Sequence, residues 1–323
     1  MKSIRLAPMC GITDYIFREF CYELGCDLAY TEMISAIGYL NTPKQVALQD
    51  LMKRGDHEPK LILQLFGKDP STVAEAAARL SETGYYNGID INMGCPAHKI
   101  APSGEGCGLM REPEIAYQMM AKTVHASKLP VSIKMRLGWD DEHKNGIEIA
   151  KLAEEAGISE ITVHGRTRQQ QYSGTADWDE IEKIACSVHI PVIGNGDIFS
   201  TDDAMIRMKD THTSGIMIGR GAMGNPWIFM NIKRRMRGSE EEPVTFSMRK
   251  EMIRNHYERM LIWKPQKIAV CEMRKHIGWY LHGIRGASKA RAEINRAENP
   301  DDVWKIIDRL EETLQENENN GRE

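Results

Sequence analysis

About 235 residues from the start of the chain repeat one pattern: a short run rich in Ile, Val and Leu, then a longer amphipathic stretch. The pattern predicts strands at 4–9, 27–32, 60–66, 88–92, 130–136, 159–164, 190–194 and 215–219. Each run is short and bounded by Gly, Pro or polar residues, as for strands buried on both faces. Asp69-Pro70, Glu112-Pro113 and Asn225-Pro226 place proline at a first helical position, where its missing N–H is not needed. Eight such units predict an α/β chain folded as a (β/α)8 TIM barrel. A doubly wound sheet would need a Gly-rich turn after its first strand, and Ala7-Pro8-Met9-Cys10-Gly11 is not GxGxxG.

After Pro243 only helical periodicity remains. Val303, Ile306, Ile307, Leu310 and Leu314 form one apolar stripe behind the start signal Asn299-Pro300. The expected organisation is a barrel domain over 1–242, a small all-α domain of three or four helices over 243–316, and a frayed tail over 317–323.

Composition changes this picture little. Of 323 residues, 41% are hydrophobic and 27% charged, which predicts a soluble globular protein. No apolar run approaches the roughly 20 residues of a bilayer span. The opening Met1-Lys2-Ser3-Ile4-Arg5 has no signal-peptide core, so cytoplasmic residence is expected. Nothing calls for an obligate protein partner, and a monomer is expected. The seven cysteines include no CxxC pair and no zinc spacing, so no metal is expected. Cys21, Cys26, Cys186 and Cys271 are expected to be buried thiols. Cys95 and Cys107 stand apart among glycines and prolines.

Charge is more informative locally than globally. The net value is −4, yet Lys233, Arg234, Arg235 and Arg237 cluster, and residues 249–296 hold twelve Lys/Arg against four Glu. That segment, near +8, suits a polyanion.

In a barrel, function collects where strands end. Pro8-Met9-Cys10-Gly11, Thr31-Glu32, Gln64, Asn92 and Cys95, Lys134 and Arg136, His164-Gly165-Arg166, Asn195-Gly196-Asp197 and Gly219-Arg220-Gly221 occupy those ends. The last two turns, with Arg220, suit a phosphate. Lys134 interrupts an apolar strand and suits a Schiff-base nucleophile, a general base, or a cation beside a flavin ring or phosphate. Cys95 opens a Gly-rich, lid-like loop. An ordinary thiol, with a pKa near about 8.5, suits an acid, while neighbouring Lys99 or Lys134 could make it a nucleophile.

Taken together, Leu6-Ala7-Pro8-Met9-Cys10-Gly11-Ile12-Thr13-Asp14, Gln64-Leu65-Phe66-Gly67, Asn92-Met93-Gly94-Cys95-Pro96, Lys134-Met135-Arg136, Val163-His164-Gly165-Arg166-Thr167, Asn195-Gly196-Asp197-Ile198 and Gly219-Arg220-Gly221-Ala222 resemble the tRNA-dihydrouridine synthases. Met273-Arg274-Lys275-His276-Ile277-Gly278-Trp279-Tyr280-Leu281 is similar to the helical domain of the bacterial B-type branch. The resemblance implies FMN in the barrel mouth, NADPH as reductant and tRNA gripped by the helical domain. It implies that Pro8, Met9 and Cys10 lie beside the isoalloxazine, and that Gln64 and Lys134 hydrogen-bond it. His164, Asn195, Gly196, Asp197, Gly219 and Arg220 would hold the ribityl phosphate. Asn92 would orient the uracil, with Arg166, Arg274, Lys275 and Arg291 as further substrate contacts. Hydride would pass from flavin N5 to uracil C6, and Cys95 would protonate C5. Cys10 departs from the pattern, since many relatives carry a small residue there. Rival readings are a free-pyrimidine reductase of the dihydroorotate dehydrogenase type, a non-redox tRNA-binding protein and a Lys134 Schiff-base aldolase.

Overall fold

The computed structural model describes residues 2–320, with side chains to Glu316. Among the described residues, nine parallel strands are present: β1 Ser3–Leu6, β2 Ala29–Tyr30, β3 Ile34–Ser35, β4 Leu61–Phe66, β5 Gly88–Met93, β6 Val131–Met135, β7 Glu160–His164, β8 Val192–Asn195 and β9 Gly215–Ile218. They pair in the order β1-β9-β8-β7-β6-β5-β4-β2, with β3 also on β4. The ring closes where Arg5 bridges Leu28, through Leu6 N to Leu28 O at 3.0 Å and Asp27 N to Ile4 O at 2.8 Å. The result is the expected TIM barrel.

Each expected strand run overlaps an observed strand, and β3 is additional. Tyr30 pairs with Ile62, but Ile34 pairs with Leu65. The second barrel strand therefore carries one residue more than its neighbour across this stretch, the signature of a bulge. The extra length turns Met33 toward the barrel mouth.

The described helices that wrap the barrel are α1 Tyr15–Glu23, α2 Ala36–Asn41, α3 Val46–Met52, α4 Pro70–Ser81, α5 Pro113–Ala126, α6 Gly146–Glu155, α7 Trp178–Ser187, α8 Thr201–Asp210 and α9 Trp227–Met236. Local chemistry sets their starts. Asp14, Asp69 and Asp177 accept first-turn N–H groups, and Ser200 with Asp203 forms a capping box at α8. Strand side chains alternate. Outward residues such as Leu61, Leu63, Ile89, Ile91, Ile133 and Val163 are fully buried under the helices. A small interior plug of Ala7, Tyr30, Ile193 and Met217 fills the barrel axis. Polar residues take inward positions, two apart along each strand.

Further helices follow: α10 Phe246–Trp263, α11 Gln266–Tyr280, α12 Ala287–Ile294 and α13 Pro300–Asn320. Their apolar core includes Ile253, Tyr257, Met273, Ile277 and Ile307, but also Ile16 and Phe20 of α1 and Trp227 of α9. The helical domain thus completes its core on the barrel's own helices. The backbone of α13 continues to Asn320 where fraying was expected, and 321–323 lie outside the described residues. No described helix is long and apolar enough to cross a membrane.

Of the thiols expected to be buried, Cys21 and Cys26 are, while Cys186 and Cys271 are exposed. Both lie on solvent-facing positions of amphipathic helices, where their small apolar side chains need no cover.

Candidate active site at the barrel mouth

A cavity of about 640 Å³ opens at the carboxyl ends of the strands. Pro8, Met9, Cys10, Gln64, Asn92, Cys95, Lys134, His164, Asn195, Gly196, Asp197, Gly219 and Arg220 all line it. The predicted cofactor residues and Cys95 are therefore brought together. The size is that of a cofactor or substrate pocket.

One wall is a hydrogen-bonded series on β4, β5 and β6. Gln64 Nε2 donates to Asp90 Oδ2 at 2.7 Å, and Ser132 Oγ donates to Asp90 Oδ1 at 2.6 Å. Asn92 Nδ2 donates to Gln64 Oε1 at 2.8 Å. Asn92 Oδ1 then accepts the N–H groups of Gly94 at 3.1 Å and Cys95 at 2.9 Å. The Cys95 backbone is thus tied to the barrel interior. Burial pushes the Asp90 carboxyl up to about 6, against the pull of its hydrogen bonds.

The segment after Cys95 is less open than its glycines suggest. Short 3-10 turns at Ala101–Ser103 and Gly106–Arg111 pack it down, and Ala101, Cys107, Leu109 and Met110 are buried. Cys107 N donates to Cys95 O at 3.1 Å. A Cβ on Gly106 would press on Cys95 Cβ at 3.0 Å, and φ is +55° there, so glycine is required on both counts. The lid-like loop is a packed clasp, with Ala97, His98, Lys99, Pro102 and Ser103 as its exposed part.

The adjoining wall, from β6 to β7, is cationic. Burial, with Arg136 nearby, depresses the Lys134 ammonium to about 8. Arg136 is buried and spends its donors on Gly94 O at 2.9 Å and on Thr167 O and Gln171 O at 2.8 Å, so it holds three rim segments together through their carbonyls. Burial, reinforced by Arg136, Lys134, Arg166 and Arg220, holds His164 well below its usual range, as a neutral imidazole.

Asp197 sits at φ +48°. Its carboxylate accepts from Arg166 Nη1 and Nη2 at 2.9 and 2.7 Å, from Arg220 Nη2 at 2.9 Å and from Ala176 N at 2.7 Å. Burial opposes its charge, but these bonds hold the carboxyl below the ordinary range. Asp197 therefore braces arginines rather than meeting an anion itself. Beside it, a Cβ on Gly196 would press on Ala176 and His164, and one on Gly221 would overlap Ile198 O. Close packing of the rim therefore requires glycine at both positions, and the backbone of Gly196, Gly219 and Gly221 lines the cavity.

Four further expected substrate contacts lie outside the cavity lining, one of them at its rim. Arg166 is fully buried behind the lining, and Ser173 O and Gly174 O take its remaining donors. With Nη1 also 3.4 Å from His164 Nε2, its donors all face protein acceptors. Arg274 is half-buried and donates to Ala297 O at 2.8 Å, pinning α11 to the segment before α13. Arg291 is half-buried on α12, outside the cavity. Lys275 does reach the rim: its Nζ lies 3.2 Å from where a Gly11 Cβ would stand.

The sequence reading missed Met33, His98, Gln171, Tyr172, Phe199 and Met217 in the lining. Gln171 Nε2 and His98 Nε2 approach to 3.3 Å across the mouth. The Tyr172 ring centre lies 4.8 Å from the Arg220 guanidinium and 5.6 Å from that of Arg136. The signal available was an aromatic in a polar loop directly after Val163-His164-Gly165-Arg166-Thr167.

Comparison with known proteins fits this geometry. The family described as "Dihydrouridine synthase (Dus)" matches residues 5–319. A "Probable tRNA-dihydrouridine synthase" of Rickettsia conorii is 39% identical over 300 residues, 93% of this chain and 90% of that one. The "tRNA-dihydrouridine synthase B" of Pseudomonas aeruginosa is 38% identical, covering 92% of this chain and 89% of that one. The protein of the same name from Shewanella oneidensis is 36% identical, covering 98% and 97%. Among solved structures, histamine dehydrogenase from Rhizobium sp. 4-9 superposes with a TM-score of 0.55 over 73% of this chain and 46% of that one. At 13% identity it supports the barrel alone. With a family match along nearly its whole length and relatives above 30% identity, the chain belongs to the dihydrouridine synthase family of oxidoreductases.

Proposed function

We propose that this chain reduces uridine to 5,6-dihydrouridine in tRNA, with FMN in the barrel mouth, NADPH as reductant and Cys95 as the acid. The observation that carries this reading is the cavity that unites Cys95, Asn92, Gln64 and Lys134 with the bare backbone at Gly196 and Gly219 and the Arg220 guanidinium.

The residues present fit a flavin phosphate. Backbone at Gly219 stays open, since a Cβ there would meet only Ala7 and Met9 at 3.6 Å, and Arg220 supplies a cation whose position Asp197 sets. Pro8, Met9, Cys10 and Met217 offer an apolar bed for a ring. Gln64 and Lys134 would meet its polar edge. When bound, the flavin supplies the hydride.

The chain's own residues do the rest. Asn92 orients the base, and Cys95, half-buried and anchored through Asn92, holds a proton at Sγ for C5. Neutral His164 and cationic Lys134 and Arg136 favour electron density developing on the ring or base. The base must leave its stack to enter so enclosed a cavity. The helical domain stands next to the rim through Lys275 and α1, where it can hold the surrounding RNA. A free-pyrimidine reductase has no need of such an appendage.

The purified protein is expected to be yellow, to bleach anaerobically with NADPH, and to regain colour on unmodified tRNA as dihydrouridine appears. Colourless protein overturns the flavin reading. Turnover of free uracil or orotate in place of tRNA overturns the substrate reading.

A further inference from the structure

Asp90 has no place in the mechanism above, yet it is a fully buried carboxylate in the barrel interior directly below the cavity. It pairs in register with Gln64 on one side and Ser132 on the other. We propose that Asp90 is a positioning residue: acting through Gln64, it holds Asn92 with a spare N–H for the cavity, so that the site reads a carbonyl oxygen on the pyrimidine and rejects an amino group. The inference rests on the uridine-reducing reading of the cavity for its last step, but not for the link from Asp90 to Asn92.

The polarity of the series is forced at both ends. An ionised carboxylate only accepts. Gln64 must therefore turn Nε2 toward Asp90, at 2.7 Å, which leaves Oε1 for its other neighbour. At the far end, backbone N–H groups only donate. Asn92 must turn Oδ1 toward Gly94 and Cys95, which leaves Nδ2 for Gln64 Oε1 at 2.8 Å. Neither amide can flip without setting oxygen against oxygen or N–H against N–H in a buried place. An amide nitrogen carries two hydrogens. Gln64 takes one from Asn92. The other has the Met33 thioether at 3.7 Å, a weak acceptor, and Asn92 lines the cavity. Its unused capacity is a donor, matched to the C4 carbonyl of uracil and mismatched to the exocyclic amine that cytosine carries at the same carbon. A site built to hydrogen-bond one group rejects its mismatched analogue strongly, because buried polar groups are then left unpaired.

The test uses two variants of the flavin-loaded protein, Asn92→Asp alone and with Asp90→Asn. Asn92→Asp keeps the acceptor for Gly94 and Cys95 N–H but sets a carboxylate oxygen against Gln64 Oε1, which Asp90 prevents from turning. A lowered Tm and a fall in kcat/KM on unmodified tRNA of about 100-fold or more are expected. Adding Asp90→Asn frees Gln64 to turn. Its Nε2 then serves the carboxylate introduced at position 92, and its Oε1 accepts from the amide introduced at position 90. The oxygen of that amide still accepts from Ser132. Tm and bound flavin should recover while turnover stays about 100-fold down, because the cavity now meets an acceptor. A double variant no more stable than Asn92→Asp overturns the link from Asp90. Turnover recovering together with Tm, or an Asn92→Asp enzyme within about threefold of wild type, overturns the specificity role. Wild type that forms no dihydrouridine from tRNA in the same assay refutes the uridine-reducing reading, and with it the proposed pyrimidine specificity. The Tm comparison still decides the link from Asp90 to Asn92.

Discussion

The barrel mouth and the helical domain satisfy their buried polar groups in opposite ways. In the mouth, Asp90, Gln64, Asn92, Arg136, Arg166 and Asp197 each find specific partners, and the bonds run continuously from strand to strand and into the rim loops. Among the described residues, seven buried side-chain atoms have no hydrogen-bond partner within the protein, and five belong to the helical domain: Arg249 Nε, His256 Nε2, Tyr257 Oη, Arg274 Nε and His276 Nε2, the last lying 3.9 Å from Asp14 Oδ2. The difference teaches where precision is required. Chemistry on a ring needs groups fixed within a fraction of an ångström, and fully satisfied networks supply that. Holding a large polyanion needs charge and shape over a wide surface, which apolar packing against α1 and α9 provides well enough.

On this contrast, substitutions in the mouth should act on kcat and those in the helical domain on tRNA affinity. The largest expected effect is Cys95→Ala. It should keep bound flavin and lower turnover by about 10²–10⁴-fold, the usual contribution of a positioned acid, with KM little changed. Single-turnover flavin reoxidation measures this directly. A wild-type-like rate would remove Cys95 from the chemistry and weaken the contrast at its strongest point.

Next comes the barrel wall. Arg18 and Glu58 are both buried and joined at 2.6 and 3.0 Å, and Glu58 also accepts from Gly55 N at 2.6 Å. Glu58→Ala leaves the Arg18 charge buried without its partner. A loss of about 3–5 kcal/mol is expected in urea unfolding. His256→Phe should cost far less. His256 is fully buried, its Nδ1 lies 3.2 Å from Tyr280 Oη, and its Nε2 has no partner. Phe replaces the ring among Phe17 and Phe20 and removes the unpaired Nε2, but it leaves the buried Tyr280 hydroxyl without His256 Nδ1, so a net cost of about 1–2 kcal/mol is expected. Its pH signature is separate. Burial depresses His256 to about 4 from 6.5, so the unfolded chain binds the extra proton and wild-type stability falls as pH drops from 6.5 toward 4. The variant should lose that part of the slope. A cost near that of Glu58→Ala would show the two regions to be built alike.

How much of this was legible depended on whether a residue's role was local. Strands announced themselves through outward apolar positions such as Leu61, Leu63, Ile89 and Ile91, and helix starts through Asp69-Pro70 and Glu112-Pro113. The inward interruptions two apart, at Asn92, Lys134, His164 and Asn195, marked the cavity. Asp90 carries the same signal within Ile89-Asp90-Ile91 but lies a layer deeper, and only the pairing of β4 with β5 joins it to Gln64. The engagement of Arg166 was not legible, because its partner Asp197 lies 31 residues away and nothing local shows its donors to be used. Tyr172 and Gln171 lie on a loop whose course Arg136 sets from a neighbouring strand. Basic residues on a helical segment reveal charge but not which of them face solvent.

That last point gives the smallest and most selective test. Arg274 and Lys275, first choices by sequence, are half-buried and tied to Ala297 and the rim, so their removal would disturb the fold as well as any RNA contact. Arg285, Lys289 and Arg296 are exposed within the same basic stretch. Replacing all three by Gln should leave kcat at saturating tRNA and the Tm nearly unchanged. If each meets one phosphate, affinity should fall most at low salt and least at high salt, and the slope of log affinity against log salt should drop by about 2–3, since each neutralised phosphate contributes about 0.7–0.9. Equilibrium binding at several salt concentrations reads this without any turnover. An unchanged slope would mean that the RNA lies on another face. A fall in kcat instead would mean that the helical domain shares in placing the base, and the division of labour between the two regions would fail.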